Sequence, residues 1–419
     1  MTSFVPAKIR SAMKSGSAFV QNADNAIAKN IMTNTTANQT EEQRAVVLVL
    51  AHKLTQLGLS ATFVDPISVG PIVSVYRFQP QGSTKVSHLE GLSQDLAVVL
   101  GAEDIMIKRM PGESAVGVFV PNRERQWVKW YNHCTLDPTK YKIPLILGID
   151  YLGKLVVEDL TLMPHLLVAG STGGGKSTLL NSIIGGLILN YKPSDLELVL
   201  CDIKEGVEFS KFRDAPHLRS LIATSIDMTH IRLDELNDEM TRRLKLFAQS
   251  STHNILEYNQ TRQGSASRLS YILVVVDEIA DLLADRRRIE EEPSAASFGG
   301  DDKIRYALAG KIASGKLAKL AAKARASGIH IIVATQRPSA KLLEGDIKSN
   351  FPARLAFRLP SQTDSRVVLD TGGAEHLISR GDMLFINPNK PGLQRVHAPL
   401  ATAQDIQGAI EFAAQRSKA

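Results

Sequence analysis

The stretch Leu166-Leu-Val-Ala-Gly-Ser-Thr-Gly-Gly-Gly-Lys-Ser-Thr-Leu-Leu180 decides the reading of this chain. Gly170 to Ser177 matches G-x-x-x-x-G-K-[ST], the phosphate-loop pattern, and it lies between an apolar run and a helical run as that pattern requires. Leu166 to Ala169 read as a buried strand and Thr178 to Leu189 as the helix that follows. Gly173, Gly174 and Gly175 let the backbone curl so that successive amides point at a polyphosphate, with Gly170, Ser171, Thr172 and Thr178 completing the cradle. The helix N-terminus adds partial positive charge. Lys176 is placed to reach the β and γ phosphates and Ser177 to hold Mg²⁺, so the motif predicts ATP and Mg²⁺ as cofactors.

Working outward, apolar strands end in polar residues. Leu196 to Asp202 is one such strand, leading into Asp202-Ile-Lys204 and Glu208. Tyr271-Ile-Leu-Val-Val-Val-Asp277-Glu278 is another: it would deliver Asp277 to the Mg²⁺ shell and Glu278 to polarise an attacking water. Ile329 to Thr335 ends in Gln336, a candidate γ-phosphate sensor, followed by Arg337 and Pro338. Asp234 to Phe247 and Leu308 to Ser327 read as helices, and Arg354–Leu359 and Gly381–Ile386 as further strands. Strands alternating with helices predict an α/β fold with a mainly parallel sheet and its site at the strand C-terminal ends.

The remainder frames this core. Residues 1–40 read as an arm, helical or flexible, and 41–140 as a small α+β domain. Its elements would be a helix capped by Thr40-Glu-Glu-Gln43, strands at Gly70–Phe78 and Ala115–Val120, and a helix over Val86–Leu100. Residues 141–400 read as the nucleotide-binding core. Within it 285–305, with its like-charge blocks and its Pro, Ser and Gly content, reads as a mobile insertion; 401–419 suffices for one C-terminal helix. The 419 residues carry a formal charge of +6, mildly favouring an anionic partner. Cys134 and Cys201 lack metal-type spacing, which fits a reducing compartment. No apolar run reaches the length of a bilayer span, and the first twenty residues are punctuated by Lys8, Arg10 and Lys14, so the sequence predicts a cytoplasmic protein with no membrane segment of its own.

Taken together, Pro164–Gly170 running into the phosphate loop, Val275–Asp281, Lys323-Ala-Arg-Ala-Ser-Gly-Ile-His330, Ala334-Thr-Gln-Arg-Pro-Ser339, Asp364-Ser-Arg366 and Gly381-Asp-Met-Leu384 resemble the FtsK/SpoIIIE family of double-stranded DNA translocases. The resemblance covers residues 42 to 400, with 42–131 similar to the family's small α domain. It implies a RecA-like P-loop NTPase core and a hexameric ring with ATP between subunits and duplex DNA in the channel. It further implies Arg325 as the arginine offered to a neighbour's γ phosphate, with Arg354 the alternative, and Arg337 and Arg366 as channel arginines that grip DNA phosphates. Lys176, Glu278, Gln336 and Arg325 would then be the catalytic set. The family's pattern is broken at Gln362, where a channel lysine is expected, and by the long 285–305 insertion. A conjugation or secretion coupling ATPase, acting on a nucleoprotein or protein, would share the nucleotide signatures; a nucleotide-switched binding protein would not need Glu278.

Overall fold

The computed structural model describes residues 41–418 apart from 111, 135, 137–139, 263–266, 286–287, 291–305, 341–345 and 379. The arm expected over 1–40 lies outside the described residues, as does most of the 285–305 insertion. The chain divides into two compact units: one runs to Trp127 and includes Tyr151–Lys154, and the other comprises Val128–Asp150 and Leu155 onward. The division thus falls at 127/128 rather than at 140/141. The reason is Trp130, which is buried in the second unit's core and whose indole Nε1 donates to Ser182 O at 3.0 Å.

In the first unit, α1 (Glu41–Gln56) and β1 (Ala61–Val69) precede β2 (Val73–Pro80), α2 (Val86–Glu90), α3 (Ser93–Leu100), β3 (Met106–Arg109) and β4 (Val116–Pro121). The sheet order is β1-β2-β4-β3, all antiparallel. Val47, Leu50 and Leu54 of α1 pack against Phe63, Phe78, Leu96 and Val118, so the i, i+3, i+4 stripe is a core face. The single helix expected over Val86–Leu100 is two, broken at Gly91-Leu92. β1 and β3 escaped the sequence reading because neither alternates cleanly. Three basic residues of this unit lie against carboxylates: Arg123 with Glu42 at 3.1 Å, Arg125 with Glu103 at 3.0 Å and Lys108 with Glu90 at 3.9 Å.

The second unit contains β5 (Pro144–Asp150), β6 (Leu155–Asp159), β7 (His165–Ala169), α4 (Lys176–Asn190), β8 (Leu196–Cys201), α5 (Ile226–Gln249), α6 (Ile255–Gln260), β9 (Tyr271–Val276) and α7 (Ile279–Leu283). It continues through β10 (Arg288–Glu290), β11 (Tyr306–Leu308), α8 (Ala309–Ser327), β12 (Ile329–Thr335), α9 (Asp346–Asn350), β13 (Ala353–Phe357), α10 (Gln362–Leu369), β14 (Asp382–Ile386), β15 (Leu393–His397) and α11 (Ala403–Lys418). Nine strands run in the order β6-β5-β15-β14-β13-β7-β12-β9-β8. The stretch from β13 to β8 is parallel, and these are the strands that carry the nucleotide signatures; the flank from β13 to β6 is antiparallel. β7, β9 and β12 are almost wholly buried, as uninterrupted apolar strands covered on both faces must be. α5 begins eight residues before the expected Asp234, because Ser225 caps it by accepting from Met228 N at 3.2 Å. The ends of the expected insertion meet as the short antiparallel pair β10–β11.

Candidate functional site

β7 ends at Ala169 and the chain turns over Gly170–Gly175 into α4. Gly173 and Gly175 take φ of 78° and 119°, left-handed values that exclude a Cβ without strain. The loop is braced from three sides. Gly170 N donates to Thr335 O at 3.1 Å, Ser171 N to Arg358 O at 3.1 Å and Gly381 N to Gly174 O at 2.8 Å. A Cβ on Gly170 would stand 2.7 Å from Phe357 Cβ, and one on Gly175 would stand 2.8 Å from Gly381 N, so the glycines admit close backbone packing beneath a phosphate cradle. The first-turn amides of α4, Lys176 to Thr178 among them, have no intrahelical acceptor and carry the positive end of the helix dipole.

Lys176 and Asp277 are both almost fully buried, and Lys176 Nζ lies 2.5 Å from Asp277 Oδ1 and 2.8 Å from Asp277 O. The other carboxylate oxygen, Asp277 Oδ2, is buried without a hydrogen-bond partner. A buried carboxylate with an orphaned oxygen beside a lysine and a glycine-rich anion cradle fits a cation–phosphate group, so Ser177 and Asp277 suit Mg²⁺ and Gly170–Thr178 suit a triphosphate. Among the described residues no cluster of three or more His, Cys, Asp or Glu suits a metal.

Glu278, 2% exposed, follows directly. Thr335 Oγ1 donates to its Oε1 at 2.7 Å and Gln336 N to its Oε2 at 2.9 Å; Lys204 Nζ stands 3.6 Å from Oε2. Gln336 reaches the loop, its Oε1 accepting from Thr172 Oγ1 at 2.9 Å. These contacts exist because β12 lies between β7 and β9, with Thr335 beside Ala169 on one side and Val333 beside Val276 on the other. Lys176, Ser177, Asp277, Glu278 and Gln336 therefore converge at one sheet edge. Thr335 and Lys204 belong with them, and sequence reasoning assigned neither a role. Lys204 had a signal, two residues beyond a strand ending in Asp202; Thr335 had none until strand order was known.

The arginines lie elsewhere. Arg325 lies in the last turn of α8, four residues before β12 starts, and its charge acts on His165 and His330 at the starts of β7 and β12. Seven residues of strand, about 20 Å, separate that edge from the loop, so Arg325 lies far from the phosphate loop of its own chain. Arg337 is exposed next to Gln336, and Arg366 is exposed on α10. Arg354 is held within the subunit by Asp370 and by Phe351 O at 3.2 Å, and Lys348 also pairs with Asp370 at 2.6 Å. Below the loop edge His165 has its tautomer fixed: Nδ1 accepts from Ile331 N at 3.1 Å and Nε2 donates to Ala321 O at 2.9 Å. Burial pushes His165 down to about 3 and His330 and His397 to about 4.

A phosphate loop, a buried Lys–Asp pair and a glutamate held from the neighbouring strand, all at the C-terminal edge of parallel strands, define the class of P-loop α/β nucleotide-binding proteins. Within that class the chain belongs to the FtsK/SpoIIIE family, whose pattern matches residues 131–340, while that of the FtsK alpha domain matches 25–122. It is 38% identical over 381 residues to the DNA translocase FtsK of Staphylococcus epidermidis, covering 88% of this chain and 44% of that protein. With the DNA translocase FtsK of Helicobacter pylori it shares 39% over 350 residues, covering 82% and 38%. The chain thus spans less than half the length of these relatives. Among solved structures it is similar to the pCW3 conjugation coupling protein TcpA (TM-score 0.59, 23% identity, 88% of this chain and 99% of that one). The EccC type VII secretion ATPase of Thermomonospora curvata follows (TM-score 0.53, 22% identity, 67% and 33%); both likenesses concern the fold. Among the described residues no helix is long and apolar enough to cross a membrane.

Proposed function

We propose that this chain is an ATP-driven motor that translocates double-stranded DNA without sequence preference, working in the cytoplasm as a homo-oligomer, by family a hexameric ring. The observation that carries the reading is the convergence of Lys176, Asp277, Glu278 and Gln336 on the phosphate loop in a chain of the FtsK/SpoIIIE family. Relatives named DNA translocase support duplex DNA as the substrate.

In this reading the amides of Gly170–Thr178 and the Lys176 ammonium hold the phosphates of ATP. Ser177 and Asp277 would hold Mg²⁺, which when bound would supply charge neutralisation at the phosphates. Glu278 orients and deprotonates the attacking water, and Gln336 contacts the γ phosphate. Arg325, about 20 Å from its own loop, is available to a neighbouring subunit's nucleotide; such a finger contributes about 10³ to 10⁵ in rate. Arg337 and Arg366 grip backbone phosphates, giving salt-sensitive binding indifferent to sequence. Lys176→Ala and Glu278→Gln abolish hydrolysis, while Arg337→Ala chiefly lowers stimulation by duplex DNA. ATP turnover that ignores duplex DNA at low salt but rises with a protein or nucleoprotein partner would transfer the assignment to a coupling ATPase, the activity in the name of TcpA.

A further inference from the structure

Thr335 is fully buried and its hydroxyl has one proton to give. Its neighbours fix the direction. Glu278 Oε1, at 2.7 Å, can only accept, and Arg337 N, at 3.0 Å, can only donate. A directed chain thus runs from the Arg337 amide through the Thr335 hydroxyl to the Glu278 carboxylate. The next amide, Gln336 N, donates to Oε2 at 2.9 Å; Ala280 N approaches Oε1 at 3.4 Å and Lys204 Nζ stands 3.6 Å from Oε2. Three hydrogen-bond donors and one ammonium therefore face a group with about four acceptor sites. Three of these contacts are hydrogen bonds and Lys204 adds an ion pair, so the carboxylate is held in orientation and must loosen from Thr335 or the Gln336 amide before it can turn. Three consecutive residues supply this hold: Thr335 and Gln336 bond the carboxylate and Arg337 N bonds the Thr335 hydroxyl. Their backbone is one short segment between the buried end of β12 and an exposed arginine.

We propose that Thr335 is a positioning residue that holds Glu278 in a resting arrangement, and that its hold is loosened when an anionic ligand on Arg337 shifts the 335–337 backbone. The catalytic carboxylate is then released by occupation of the DNA-facing residue two positions away from its restraint. Lys204, on the outer side of the same carboxylate, completes the restraint from solvent. The proposal rests on the reading of Glu278 as the base of a DNA-stimulated ATPase, and the test separates the two.

ATP turnover is measured with and without duplex DNA for the wild type, Thr335→Val and Thr335→Ser. A hydrogen bond to a charged group corresponds to about tenfold or more in an equilibrium. Thr335→Val, equal in shape and lacking the donor, should therefore raise unstimulated turnover about tenfold and lower the ratio of stimulated to unstimulated turnover by a similar factor, at unchanged KM for ATP. Thr335→Ser, which keeps the hydroxyl, should restore the ratio. If Thr335→Val melts early, Thr335→Ala adds no volume and gives the same readout. Turnover reduced by one common factor with and without DNA, or an unchanged ratio in the valine and alanine variants, overturns the proposal. Should wild-type turnover ignore duplex DNA, the translocase reading fails alone, and the unstimulated turnover of Thr335→Val still decides whether Thr335 restrains Glu278.

Discussion

Acidification should destabilise the second unit far more than its carboxylates alone would suggest, because three buried histidines must stay neutral. Burial lowers His165 from 6.5 to about 3, and His330 and His397 from 6.5 to about 4. His330 has Nδ1 directed at Pro164 O at 2.9 Å and a buried Nε2 with no partner, so a second proton would have nowhere to donate. Protonating His165 would break the bond its Nδ1 accepts from Ile331 N. Each ring has a folded-state pKa below its unfolded value, so the unfolded chain binds the extra proton. Stability is fully present above pH 6.5 and is lost as pH falls from 6.5 toward 4 and below. At about 1.4 kcal/mol per pH unit, lowering the pH to about 5 costs about 2 kcal/mol per ring and about 6 kcal/mol for three. That is comparable with the whole stability of an ordinary domain. His217 and His230 are shifted in the same direction, whereas Glu239, held down to about 2 by Arg242 and Arg243 despite its burial, matters only below about pH 4.5. The assay is urea unfolding of the full chain at pH 7 and pH 5. It is followed by Trp130 fluorescence in a Trp127→Phe background, which leaves one tryptophan buried in the second unit. His330→Phe should recover about 2 kcal/mol of the loss. A difference below about 2 kcal/mol between the two pH values, with the wild-type histidines present, would refute the reasoning.

Three further outcomes follow from packing and site geometry. Gly148→Ala, at φ 127° with a Cβ that would stand 1.9 Å from His397 O, should cost about 2 to 5 kcal/mol by thermal or urea unfolding. Arg243→Leu should cost about 2 to 5 kcal/mol, since it removes the guanidinium that bonds the carbonyls of Ser270 and Ser327 at 2.8 and 3.0 Å and leaves Glu239 to Arg242 alone of the two arginines that hold it down. Arg325→Ala should leave ATP binding intact by equilibrium titration and abolish turnover; mixing it with Lys176→Ala should restore partial turnover if the arginine serves a neighbour's site.

How much of this could be read in the sequence depended on whether the determinant was local. The phosphate loop was legible because consecutive amides do the binding, and a contiguous Gly-rich run with Lys176 and Ser177 encodes it completely. β7, β9 and β12 were legible because strands buried on both faces are uninterrupted apolar runs. β1, β3, β5, β6 and β15 were not recognised, since short or bulged antiparallel strands lack a distinctive period. α5 lost its first eight residues to the reading because Ser225 was not weighed as a cap.

By itself, then, the sequence determined the nucleotide cradle, the Asp277-Glu278 pair and the buried parallel strands, each a property of neighbours along the chain. Tertiary structure decided what surrounds Glu278. The order β7-β12-β9 places Thr335 and the Gln336 amide against a carboxylate 57 residues away from the threonine in sequence, and β8 brings Lys204 to the oxygen that the Gln336 amide binds. The same strand direction that sends Gln336 to the loop leaves Arg325 at the far edge. Hydrogen bonds between strands depend on lateral order, and lateral order is set by burial of whole strands rather than by any residue pattern within one of them.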